Sequence, residues 1–460
     1  MGFLTHSMDR PGRMVTTYRT YHPHSGELEL NAPPPGEGRG KLRAASYAGV
    51  PGVYCTTSIL YAEYTIQDGR PTTQVHEGSQ VRFFQTSAWF GNQIHKAPLP
   101  VTIEIAVLRP NSQAKVADPV FPRRYEKPED WSIVEVPLPK IRPGDVLVKV
   151  KACGVCGTDL HIHEGEFIAK FPLIPGHETI GVVVDMAPDV KGFKVGDRVA
   201  ADNSELCGHC FYCRRGEALL CEDFSAHGVL NLDGGFAEYA NYPQGKLFKI
   251  HNISDIDATL IEPASCAMHG LEKIAPKPGS HALLIGAGPT GLMMAQFLKN
   301  SGVSQLTIAA PEGSKLDLAK SLDAADTYVG LSRKDATPQW EQLKKDNPYG
   351  FDIVVEASGS SKVLEDAINY VRRGGKLVCY GVYPSSARVT WPPSKIFGDE
   401  ITIIGSFSET FMFPATVDYL DSGKVKTKGI VNKTFKLEQW GEALESIRNK
   451  SAIKAAIVFD

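Results

Sequence analysis

His281-Ala-Leu-Leu-Ile285-Gly286-Ala-Gly288-Pro289-Thr290-Gly291 begins as a short apolar strand and passes through three spaced glycines into a helical stretch, residues 290–301. A lone G-x-G-x-x-G carries little weight. Between a strand and a helix it is a dinucleotide-binding fingerprint. Gly286 permits the tight turn and Gly288 lets the backbone approach a pyrophosphate. Pro289 and Thr290 start the helix whose N-terminus faces the phosphates, and Gly291 lets helix and strand pack closely. A glycine-rich turn without a ligand is the alternative.

Downstream the alternation continues. Residues 306–309, 353–356 and 376–380 read as strands, and 315–321 and 361–371 as helices. Strand, helix and strand at this spacing predict a parallel sheet with helices on both faces. An acidic residue that binds the ribose is expected about 20 residues past the glycines. Ala310 stands there instead, followed by Pro311, with Glu312 close by and Ser314 and Lys315 just beyond. Without that acid nothing repels a 2′-phosphate, and Ser314 and Lys315 can bind one. This favours NADP, or use of both cofactors, over strict NAD; Glu312 reaching back would restore NAD.

Upstream the rhythm differs. Residues 131–136, 145–150, 180–184 and 198–200 read as short strands bounded by Pro and Gly, which predicts a β-rich, barrel-like domain to about residue 260. Inside it lies Cys207-x2-Cys210-x2-Cys213-x7-Cys221. Four thiolates at these spacings fold back around one tetrahedral Zn²⁺ and leave no open position, so a structural role is expected. A nucleic-acid zinc finger is disfavoured, because acidic residues flank the cysteines and no basic recognition helix follows. A second constellation is scattered: Cys156, then His177-Glu178, then Glu262. Thiolate, imidazole and carboxylate together suit a catalytic zinc with an open position. Taken singly, each is as readily an ordinary core or surface residue.

The chain has 460 residues, which predicts two domains or more. Hydrophobic residues are 42% and charged residues 22%, as in globular proteins. The apolar runs are far shorter than the ~20 residues that span a bilayer, so no membrane partner is expected. The net charge of −3 gives no global field for nucleic acid. Nine cysteines, four of them clustered, fit metal binding in a reducing compartment, here the cytoplasm. Arg10, Arg13 and Arg19 faintly resemble a mitochondrial presequence, without the amphipathic period that would support one. Residues 1–123 stand apart, with 12 Lys and Arg against 9 Asp and Glu and frequent Pro and Gly. They are expected to be a poorly ordered extension or an artefact of the gene model; a small accessory module is the alternative.

Gly176-His177-Glu178-x2-Gly181-x5-Ala187-x2-Val190 matches the zinc-containing alcohol dehydrogenase signature. The Cys156 segment, the four-cysteine lobe and the glycine fingerprint follow in that family's order. From about residue 124 to 460 the chain resembles the zinc-dependent medium-chain dehydrogenase/reductases. Glu262-Pro263 and the wording Gly157-Thr158-Asp159-Leu-His161-Ile-His163-Glu164-Gly165 resemble its sorbitol and arabinitol dehydrogenases.

The resemblance implies an α/β protein: a GroES-like β-barrel catalytic domain at 124–263, a Rossmann doubly wound parallel sheet at 264–404, and a C-terminal segment, 405–460, that completes the catalytic domain. It implies two Zn²⁺ per chain, with Cys156, His177, Glu178 and Glu262 at the catalytic one. Thr158 would take the hydroxyl proton, His161 would pass it towards solvent, and Lys454 would contact the cofactor pyrophosphate. The implied activity interconverts a secondary alcohol, above all a polyol such as sorbitol, xylitol or arabinitol, and its ketone with NADP or NAD, in a homodimer or tetramer. A threonine- or simple-alcohol-type dehydrogenase is the runner-up, and an inactive zinc- and nucleotide-binding paralogue is the reading from another class. The family has no counterpart to residues 1–123, and its opening strand is not recognisable before Tyr125.

Overall fold

The structure is a computed structural model that describes residues 121–166 and 168–460, together with six short backbone strands before residue 73. Residues 1–116 and 117–460 are two compact units. In the first, Gly2–Arg10, Arg13–Tyr21 and Leu28–Asn31 form an antiparallel sheet, and Gly40–Lys41, Glu63–Gln67 and Arg70–Thr72 form another. Apart from these strands and residues 121–123, the poorly ordered extension expected over residues 1–123 lies outside the described residues.

The second unit holds two larger sheets. One has seven strands in the order Leu247–Lys249, Arg198–Ala201, Glu178–Met186, Asp145–Val155, Lys454–Val458 and Val431–Phe435, with Tyr239–Pro243 also paired to Asp145–Val155. Its β-branched runs are buried around Val146, Val148, Val150, Val183 and Trp440. The C-terminal strand Lys454–Val458 lies against Asp145–Val155 with Ala456 opposite Gly154, so the end of the chain and its first long strand share one sheet.

The other sheet is parallel throughout, in the order Thr327–Leu331, Gln305–Pro311, His281–Ile285, Phe351–Glu356, Val371–Cys379 and Thr402–Gly405. Strand order reverses between His281–Ile285 and Phe351–Glu356, the crevice where such sheets bind ligands. Leu283, Leu284, Val354 and Val355 are fully buried, as strands covered by helices on both faces require. The expected α/β architecture, a β-barrel-like catalytic part beside a Rossmann sheet, is therefore the observed one. The helix Ile261–Ile274 runs across residue 263 and the strand Thr402–Gly405 across residue 404, where domain limits were expected.

The opening strand is present. Arg123–Lys127 pairs with Asp130–Ile133 as a hairpin. It escaped the sequence reading because its inward residues are Arg123 and Tyr125 rather than aliphatics. Both are buried. The Arg123 guanidinium lies over the Trp131 ring, 3.9 Å from its centre. Tyr125 Oη takes the Trp440 Nε1 proton at 2.7 Å and meets His163 Nδ1 at 3.0 Å. An amphipathic aromatic can be buried this way because its polar tip is satisfied.

Candidate active site

Two strand ends create the first donor cluster. Cys156 follows Asp145–Val155 directly and caps the helix Gly157–Glu164. Glu178 opens the neighbouring strand opposite Gly154, and His177 stands just before it. One donor atom each from Cys156, His177 and Glu178 lies within 4.8 Å of the others. Gly154 makes this possible, since a Cβ there would fall 1.8 Å from Glu178 Oε2.

The cluster fits a metal on its own geometry. Glu178 Oε2 is buried without a hydrogen-bond partner among the described residues. The thiolate, imidazole and carboxylate donors are the types Zn²⁺ takes. Burial alone would raise the Cys156 thiol, but His177 and Lys454 more than offset it and hold it below its ordinary value.

Behind these donors stands Asp159, for which spacing alone implies no role. Its Oδ2 accepts the Cys156 backbone N–H at 2.8 Å, and its Oδ1 faces His177 Nδ1 at 3.6 Å. A carboxylate behind a ligating histidine fixes the ring's orientation and raises its basicity. Burial opposes protonation of His177, yet Asp159 lifts it well above the usual histidine range. The signal for Asp159 was its place three residues past a helix cap.

Glu262 does not join that group of three. It lies on the helix Ile261–Ile274, and its carboxylate gathers with Cys266 and Glu409 within 4.8 Å. Asn203 Nδ2 donates to Glu262 Oε1 at 3.4 Å. Burial holds the Glu262 carboxyl well above its ordinary value, with His177 pulling the other way. Burial likewise pushes Glu409 up to about 7, with Asp202 adding to the shift. Cys266 was legible in principle, because residues i and i+4 share a helix face. Glu409 left no local signal, as it arrives from a loop about 150 residues away in sequence.

Lys454 was expected at the cofactor pyrophosphate. Here it is buried, and its Nζ contacts Glu178 Oε1. Burial would lower the Lys454 ammonium, but the Glu178 carboxylate reverses this and raises it. Thr158 Oγ1 lies 3.7 Å from Cys156 Sγ. His161, on the same helix, turns its Nδ1 to Glu166 Oε2 at 3.0 Å in a more open setting.

The four-cysteine lobe closes as its spacing predicts. The Sγ atoms of Cys207, Cys210, Cys213 and Cys221 lie within 4.8 Å of one another. Backbone N–H groups of Cys207, Cys210 and Cys213 each point to a neighbouring sulfur at 3.4 Å. The Cys213 and Glu222 amides hold the Cys210 thiol down at about 6, as suits a metal-binding thiolate.

At the glycine motif, Gly286 has φ +114° and donates its N–H to Ala309 O at 2.9 Å. A Cβ on Gly291 would sit 2.6 Å from Gly286 O, whereas one on Gly288 would meet nothing within 4 Å. Open space over Gly288, at the start of the helix Pro289–Asn300, is what a pyrophosphate needs. Ala310 is buried at the end of Gln305–Pro311. The Glu312 side chain lies over Gly330, where a Cβ would meet its Oε1 at 3.2 Å. Ser314 starts the helix Ser314–Ser321. Lys315 is half-buried, and its ammonium is lowered by burial and by the nearby charges of Lys450 and Arg333. These last two cations were invisible from the motif, being distant in sequence. Among the described residues, no helix is long and apolar enough to cross a membrane.

The alcohol dehydrogenase GroES-like domain model matches residues 142–252, and the zinc-binding dehydrogenase model matches residues 289–422. D-arabinitol dehydrogenase 1 of Uromyces fabae is 58% identical over 333 residues, covering 72% of this chain and 95% of that protein. Sorbitol dehydrogenase of Bacillus subtilis (strain 168) is 34% identical over 318 residues, covering 68% and 89%. A solved zinc-binding dehydrogenase from Sinorhizobium meliloti 1021, bound to NADP, superposes with a TM-score of 0.70 at 27% identity, over 74% of this chain and 100% of that one.

Proposed function

The chain belongs to the zinc-dependent medium-chain dehydrogenase/reductases, in their polyol dehydrogenase branch, and from that premise we propose that its substrate is a sugar alcohol of the arabinitol type and its preferred cofactor NADP. It is a zinc-dependent, NAD(P)-linked oxidoreductase that interconverts a secondary alcohol and its ketone. The observation that carries the reading is the cluster of half-buried Cys156 with buried His177 and Glu178, close enough to Glu262 and Glu409 for His177 to act on both carboxyls. Identity of 58% to a D-arabinitol dehydrogenase supports the substrate class.

Cys156, His177 and Glu178 would hold the catalytic zinc, with Glu262 near it, and the four-cysteine lobe a structural zinc. When bound, the catalytic zinc supplies Lewis acidity at the carbinol oxygen and the nicotinamide supplies a hydride acceptor. Asp159 holds the His177 ring in place. Thr158 takes the hydroxyl proton, and His161 passes it towards solvent through a bridging hydroxyl or water, with Glu166 as its partner. Gly286, Gly288, Pro289, Thr290 and Gly291 cradle the pyrophosphate. Ala310 leaves room at the adenosine ribose, and Ser314, Lys315 and Arg333 recognise a 2′-phosphate.

The test offers D-arabinitol, xylitol, sorbitol, threonine and a simple secondary alcohol, each with NAD⁺ and NADP⁺, and follows nicotinamide absorbance. Turnover is expected on a pentitol with NADP⁺, and Arg333→Ala should raise KM for NADP⁺ about 10-fold or more, with little change for NAD⁺. Polyol turnover with NAD⁺ alone would overturn the cofactor preference, and turnover of threonine alone the substrate class.

We also propose a homodimer in the cytoplasm. Thr402–Gly405 is the edge strand of the parallel sheet, and Phe397, Ile403, Phe407 and Phe411 around it are exposed, Phe397 at 88%. An open strand with apolar neighbours is a template for pairing with a second copy. Free thiols suit a reducing compartment. Sedimentation at twice the chain mass is expected, with the enzyme in the cytosolic fraction. A sedimenting monomer would remove the first proposal, and recovery from an organelle the second.

A further inference from the structure

Glu262 and Cys266 lie one turn apart on the helix Ile261–Ile274. Glu409 reaches them from the loop between Thr402–Gly405 and the helix Phe413–Asp421. That loop carries two non-glycine residues at positive φ, Ser408 at +59° and Phe411 at +68°. Left-handed backbone at such residues persists only where the surroundings enforce it, and it gathers at functional sites.

Glu409 is 1% exposed. Its Oε2 takes the Ser408 hydroxyl and lies 3.7 Å from Cys266 Sγ, while its Oε1 has no partner among the described residues. An ionised carboxylate is an acceptor only, and with Oε1 buried and unpartnered the ionised form of Glu409 bears a desolvation cost that Oε2's partners offset only in part. A ligand hydroxyl entering the site would supply the donor that Oε1 lacks. Two adjacent carboxylates, Glu262 and Glu409, beside a donor set for the reacting oxygen are the complement of a neutral ligand with several neighbouring O–H groups.

We propose that Glu409 is a specificity-determining residue that accepts a hydrogen bond from the substrate hydroxyl next to the reacting carbon. The inference rests on the polyol reading above and adds to it a residue that selects polyhydroxylated substrates over monoalcohols. The rival occupant is a cation held by Glu262, Cys266 and Glu409.

The experiment measures kcat and KM of the zinc-loaded wild type, Glu409→Leu and the isosteric Glu409→Gln on D-arabinitol and on a secondary monoalcohol of the same chain length. Zinc per chain is measured alongside. The expected result is a 10- to 100-fold fall in the polyol-to-monoalcohol ratio of kcat/KM in Glu409→Leu, mostly through KM, with a smaller fall in Glu409→Gln. Zinc should stay at two per chain in all three. If Glu409→Leu fails to fold, Glu409→Gln alone must still lower the ratio. An unchanged ratio, including parallel loss on both alcohols, overturns the role of Glu409 alone. So does a third zinc in the wild type that either variant lacks. A wild type silent on every polyol overturns the substrate reading, and this inference with it.

Discussion

Cys156→Ala is expected to lower kcat/KM on every alcohol substrate by about 10³-fold or more and to remove one zinc per chain while leaving the other. Of the three donors within 4.8 Å, Cys156 is the only thiolate. Its loss leaves one imidazole and one carboxylate, too few to hold a metal that wants three protein ligands at a catalytic site. Lewis-acid stabilisation of the alkoxide is worth several kcal/mol, and each 1.4 kcal/mol or so is a factor of ten in rate. No neighbouring thiol can step in. Cys153, three residues upstream, is fully buried and faces Thr179 Oγ1 at 3.7 Å. The four-cysteine lobe is built by a separate loop, so its metal should stay. Elemental analysis and steady-state kinetics on the same preparation check both halves. A variant that keeps both zincs and turns over within tenfold of wild type would sink the assignment of Cys156.

In protein stripped of zinc, Lys454→Met is expected to destabilise the fold by about 3–5 kcal/mol, because it leaves the Glu178 charge buried without its partner. Both residues are almost inaccessible, at 4% and 1%. The pairing is fixed by sheet register, since Lys454 begins the strand that lies on one side of Asp145–Val155 while Glu178 begins the strand on the other. Still without zinc, so that the ligand role of Glu178 does not enter, adding Glu178→Gln should recover most of the loss, as replacing a whole buried pair is near neutral where removing one member is not. Denaturant unfolding of the two single variants and the double variant measures the coupling. The same variants separate this role from the one expected from the family resemblance. If Lys454 serves the cofactor pyrophosphate instead, KM for NADP⁺ rises steeply and stability hardly moves.

By itself the sequence determined the chemistry that depends on short spacings. The four cysteines lie within fifteen residues, so one loop can bring their sulfurs together whatever the rest of the chain does. The glycines at 286, 288 and 291 act on the turn and helix in which they stand. The apolar runs around them have the periodicity of buried parallel strands, which made the doubly wound sheet legible. Cys156, His177 and Glu178 were identified as candidates, but only the antiparallel register that sets Glu178 opposite Gly154 brings their donor atoms together.

The tertiary structure alone decided the partners. Lys454 meets Glu178 across 276 residues and Glu409 meets Cys266 across 143. Glu262 turned towards those two rather than joining Cys156 and His177 in one tight group. Arg123 and Tyr125 form an inward face that polarity patterns do not flag, because Leu437 O and Trp440 Nε1, which meet their polar ends, lie more than 300 residues away. Spacing along the chain governs contacts that one turn or loop can close. Contacts between distant segments are set by sheet register and by the desolvation cost of buried charge, which takes its value only once the surroundings of each side chain are built.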